Sequence, residues 1–72
     1  MDKALETALQ IELRLMADCQ GRCARQRKLI ERLRDEGHDT QRAFEVMELL
    51  ERSLTATSTH LDGLQKRQAR AS

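Results

Sequence analysis

"EGHDT", residues 36–40, is the stretch on which the fold turns. It holds a histidine beside an acid, as a small site might. It also holds every signal needed for a corner. Gly37 can adopt the left-handed conformation that closes a helix. Arg32 and Arg34 stand just before it, where cations suit a helix C-terminus. Asp39 or Thr40 can accept a backbone N–H bond and start the next helix. A stop, a link of two or three residues and a start predict an antiparallel helical hairpin, with His38 in the exposed link.

The flanking segments carry the matching periodicity. Before the corner, Leu5, Leu9, Met16, Cys19, Cys23, Ile30 and Leu33 recur at three-four spacing, with Glu12 and Gln26 interrupting the stripe. After it, Thr40, Ala43, Met47, Leu50, Leu54, Thr57, Leu61 and Leu64 form an unbroken stripe. These are a and d positions of two heptad helices. The expected fold is all-α: one hairpin over residues 1–72, with a helix over about 3–36, a turn at 37–39 and a helix over about 40–68. There is no proline to interrupt either helix.

Charge follows the same plan. Residues 22–34 hold six basic side chains and one acid, whereas residues 35–51 hold six acids and one base. Reversal at the corner sets residue i opposite roughly residue 77 − i. Arg25, Lys28 and Arg32 are then expected near Glu51, Glu48 and Glu45, and Glu6 and Glu12 near Lys66, Arg67 and Arg70. This pairing argues against reading "RCARQRKLIERLR" as a nucleic-acid arm, because its charges have acidic partners and no aromatic is interleaved for base stacking. The net charge of +1 adds no global attraction for nucleic acid or anionic lipid.

The sequence "CQGRC" places Cys19 and Cys23 four apart, on one helix face. The expected register brings His60 near Ala17 and Cys19, so Cys19, Cys23 and His60 are the candidate metal ligands. A structural zinc site takes four ligands, and only three can be named. A reactive thiol needs an activating polar setting, and a disulfide within one helical turn must meet strict geometry. The favoured reading is two buried, reduced core thiols, with no metal and no cofactor. The N-terminal segment is too acidic and interrupted for a signal peptide, and no apolar run approaches the roughly 20 residues that span a bilayer. A cytoplasmic location is therefore expected, without a membrane role.

A hairpin of 72 residues buries little surface for each residue it orders. Leu13, Leu15, Leu29, Phe44, Val46 and Leu49 lie off the seam and widen its apolar face. Left bare, they would form an association patch. The simplest closure is a twofold homodimer making a four-helix bundle; a different protein covering the same face is the alternative.

Residues 24–64, "ARQRKLIERLRDEGHDTQRAFEVMELLERSLTATSTHLDGL", resemble a set of short alphaproteobacterial helical-hairpin proteins with a G-H-D-T turn. Arg25, Gln26, Leu29, Ile30, Leu33, Gly37, His38, Asp39, Thr40, Ala43, Leu50 and Leu54 match their pattern. The resemblance implies a hairpin in a bacterial setting. It implies no activity and, because those proteins carry glycine and charged residues in place of "CQGRC", no cysteine function.

No nucleophile with its base, phosphate loop or carboxylate pair in a cleft can be assembled from these residues. The expected function is a non-enzymatic interaction or regulatory module that self-associates. Two alternatives stand beside it: an RNA-binding bundle by analogy with the Rop hairpin dimer, and a metal or redox sensor using Cys19, Cys23 and His60.

Overall fold

A computed structural model describes residues 2–71. The chain forms two helices, α1 (Lys3–Asp35) and α2 (Gln41–Ala71), lying antiparallel along each other. They make a rod of 54 × 14 × 13 Å. The hairpin is all-α, and none of its described helices is long and apolar enough to cross a membrane.

Each boundary has a local chemical cause. At the start of α1, the Asp2 carboxylate accepts from the backbone N–H groups of Ala4 at 3.0 Å and Leu5 at 3.4 Å. Two of the unpaired donors of the first turn are thereby satisfied. At the other end, Gly37 has φ +75°. Its N–H donates to the Arg34 carbonyl at 3.1 Å, and the His38 N–H donates to the Leu33 carbonyl at 2.8 Å. This double closure is a Schellman motif, which needs the left-handed residue that glycine supplies.

The chain restarts at once. Asp39 Oδ1 accepts from the Gln41 N–H at 3.0 Å, and the Thr40 carbonyl takes the first bond of the new helix, from the Phe44 N–H at 3.0 Å. Asp39 thus supplies the capping side chain and Thr40 the capping backbone. α2 runs on to Ala71, three residues beyond the expected end, through Ala69, Arg70 and Ala71, all strong helix formers. α1 stops at Asp35, with Glu36 as its cap.

The seam is the one the heptads predict. Every a and d residue of both stripes is buried or half-buried, including the polar interruptions Glu12 and Gln26. The core is nevertheless divided. Toward the corner, Cys23, Ile30, Ala43 and Met47 pack together, with Leu33, Leu50 and Leu54 against them. Toward the open end, Leu5, Leu9, Leu61 and Leu64 form a second cluster with Ala8 and Met16. Cys23, at 1% exposure, is the only fully buried side chain among the described residues. Two helices alone leave this core thin.

The expected register needs correction. Among the described residues, no ion pair joins Arg25, Lys28 or Arg32 to Glu51, Glu48 or Glu45, and none joins Glu6 or Glu12 to Lys66, Arg67 or Arg70. Arg32 instead sits 3.8 Å from Glu36, and Lys66 3.1 Å from Asp62, each one turn along its own helix. Exposed charges on long side chains gain little by holding a partner across the seam. The complementary blocks lie on the right helices, but apolar layers decide which residues meet.

Candidate self-association surface

Two polar side chains in the seam fix the rod before its surface is considered. Gln26 donates through Nε2 to the Ala43 carbonyl at 2.8 Å, bonding side chain to backbone across the helices. His60 Nδ1 lies 2.9 Å from Glu12 Oε1. The Glu12 side chain is 14% exposed and that of His60 63% exposed. The carboxylate is thus drawn into the seam and met there by a donor reaching in from solvent. A polar side chain at a seam position costs stability and specifies register, because sliding the helices strands it without a partner.

This placement overturns the expected neighbourhood of His60. It faces Glu12, well over a turn of α1 away from Cys19, and Cys19, Cys23 and His60 do not converge. Among the described residues no group of three or more histidine, cysteine, aspartate or glutamate side chains is placed to hold a metal ion. Both cysteines are free thiols, Cys19 half-buried and Cys23 buried in the corner-side cluster. His38 lies in the link, with Nε2 3.4 Å from Glu36 Oε2 and most of its side chain in solvent. "EGHDT" is therefore held as a corner by backbone bonds, and the histidine contributes its N–H to that closure.

The large apolar side chains left outside the seam are Ile11, Leu13, Leu15, Phe44, Val46 and Leu49, each 40–59% exposed. Leu29 is half-buried beside them. In an antiparallel pair, e positions of the two helices share one flank and g positions the other. Numbering heptads from Leu9 as a in α1 and Met47 as a in α2, Leu13 and Phe44 are e residues. Leu15, Leu29 and Val46 are g residues, and Ile11 and Leu49 are the c residues next to them. The six residues expected to form one face are thus sorted onto two.

The e flank carries two of them, Leu13 and Phe44, at 51% and 43% exposure among charged side chains. The Arg34 guanidinium lies 6.0 Å from the Phe44 ring centre, within cation–π range. Arg27, Glu31 and Glu51 line the same shallow groove. The c/g flank is different. Ile11 and Leu15 lie together with Thr7, Gln10 and Arg14 on the open-end half. Leu29, Val46 and Leu49 occupy the half near the corner.

Ile11 was not among the expected interface residues. Its signal is present in the sequence: it stands three after Ala8 and four before Leu15, continuing a second heptad row beside the seam.

No family model, curated protein or solved structure matches this chain. The geometry alone carries the functional reading.

Proposed function

We propose that this chain is a non-enzymatic, self-associating helical module, in which two hairpins cover each other's apolar flank to give a four-helix bundle. The supporting observation is the concentration of Ile11, Leu15, Val46 and Leu49 on one flank at 40–59% exposure, beside a core with one fully buried side chain among the described residues. Burying a large aliphatic side chain contributes about 1.5–3 kcal/mol. Several together can offset the entropy of association. The module works in the cytoplasm, where free thiols stay reduced, and its role is to present a rigid rod to other macromolecules.

Sedimentation equilibrium on the unmodified chain tests this reading. A dimer at micromolar concentration is the expected result, weakened by Leu49→Gln and Ile11→Gln without loss of helicity. A well-folded monomer at high micromolar concentration would overturn it.

A further inference from the structure

The two flanks of the rod differ in charge as well as in apolar content. Within the helices, the c and g positions hold Arg22, Arg25, Arg32, Arg42, Arg67 and Arg70 against a single acid, Asp18. The b and e positions hold three bases and five acids. All three lysines of the chain lie outside the c/g flank. One side of the rod is therefore an arginine flank on which α2 places no acid.

The cross-seam partners that would neutralise the basic stretch of α1 are absent. Among the described residues Arg22, Arg25, Arg42, Arg67 and Arg70 form no ion pair, and Arg32 has only Glu36, at 3.8 Å beside the corner. All six arginines are exposed. Arg22 and Arg25 line one shallow depression with Ala17, Asp18 and Gly21. Gly21 leaves room for the longer side chain, since a Cβ there would lie 3.4 Å from Arg25 Nη1. From Arg22 to Arg32 the row runs about 15 Å along α1.

We infer that this row binds the phosphate backbone of duplex nucleic acid. The inference goes beyond the self-association proposed above and rests on it in one respect. With Ile11, Leu15, Val46 and Leu49 covered by a second copy, the flank still offers its arginines, whose long stems carry the guanidinium groups out to the rim of the interface. This holds for any orientation of the two copies. Guanidinium groups match phosphate geometry and bind it in bidentate fashion. An acidic protein fits less well. Its exposed pairs with arginine contribute little, and the apolar strip that would anchor it is already occupied. A nucleic acid adds a further term, because each neutralised phosphate releases condensed counterions. The chain's one aromatic residue, Phe44, lies on the other flank. Contacts are therefore with the backbone, without base stacking, and carry no sequence preference. Two arginine flanks brought together also repel each other, and a polyanion relieves that repulsion. The duplex should strengthen self-association, and self-association should strengthen binding of the duplex.

The test is binding of the full chain to a random-sequence DNA duplex of about 16 base pairs, which matches the 54 Å rod at roughly 3.4 Å per pair. Titrations over a range of salt read the affinity and its salt slope. Binding at about 0.1 M salt is expected, with the slope reduced by about two in Arg25→Gln with Arg32→Gln. Arg27→Gln with Arg34→Gln, on the e flank, should leave the slope unchanged. Circular dichroism checks that both double variants keep their helicity. Absence of binding at that salt, or equal losses from the two double variants, would overturn the inference. So would polyglutamate binding more tightly than the duplex, which would assign the row to an acidic protein. Sedimentation separates this outcome from self-association. A dimer that does not bind the duplex removes the role of the arginine row alone, and a monomer that binds it with the expected slopes removes self-association alone.

Discussion

Glu12 and His60 are 48 positions apart in sequence and meet across the seam, His60 Nδ1 lying 2.9 Å from Glu12 Oε1. The pair lies in the open-end half of the seam, where Leu9 and Met16, one turn to either side of Glu12, belong to one apolar cluster. Replacing Glu12 by leucine should raise hairpin stability by about 1–2 kcal/mol, because a half-buried carboxylate gives way to apolar burial. The same change should loosen the register. Urea denaturation reads the first effect, and loss of a single set of amide resonances reads the second. A Glu12→Leu chain that is less stable than the unmodified one would show the pair to be a net stabiliser.

Gln26 is the second pin. Gln26→Ala removes the Nε2 bond to the Ala43 carbonyl and should cost about 0.5–1.5 kcal/mol. Gln26→Leu should be nearly neutral, since the Ala43 carbonyl is also an acceptor in the α2 ladder. A loss from Gln26→Leu as large as that from Gln26→Ala, measured by chemical denaturation, would mean that apolar burial does not offset the lost cross-seam bond.

At the corner, two substitutions separate backbone strain from capping. Gly37→Ala forces a Cβ into φ +75° and should cost about 1–2 kcal/mol, with Gly37→Asn recovering part of it. Asp39→Ala removes the acceptor for the Gln41 N–H and should cost about 0.5–2 kcal/mol. Thr40→Ala should matter less, because Thr40 contributes its backbone carbonyl. If Thr40→Ala proves the more damaging of the two, the assignment of the cap to Asp39 is wrong.

The cysteines should differ in behaviour. Cys23 is 1% exposed and Cys19 only half-buried. A thiol reagent should modify Cys19 from the native state and reach Cys23 only through unfolding. Cys23→Ser should destabilise by about 1–3 kcal/mol, because its hydroxyl enters an apolar cluster. Equal labelling rates at the two positions would contradict the burial difference.

How far this structure can be read from its sequence depends on which interaction decides each feature. The corner is legible because Gly37 and Asp39 act locally, through bonds to residues a few positions away. The stripes are legible because burial follows the three-four spacing directly. Register is not. Lys28 and Glu48 look like partners when charge blocks are matched, yet exposed charges impose little geometry, and the seam is set by Glu12 with His60 and Gln26 with Ala43. In the sequence those polar residues look like gaps in a stripe; only their partners reveal them as pins. Ile11 shows the converse. Its row was visible, but a seam-centred reading assigns an isoleucine two positions from Leu9 to no face.

The division of the core also bears on how the rod opens. The break at Cys19 and Thr57 separates the corner-side cluster from Leu5, Leu9, Leu61 and Leu64 with Met16, so the two halves are expected to open as separate cooperative units. The corner-side half closes a short loop and zips from Gly37 outward. The far half joins residues that are distant along the chain and bears the larger loop-closure entropy. Amide hydrogen exchange should therefore be graded along the rod, slowest around Ile30 and Met47 and fastest near the chain ends, and the open end is where a hairpin could splay apart while its corner stays intact.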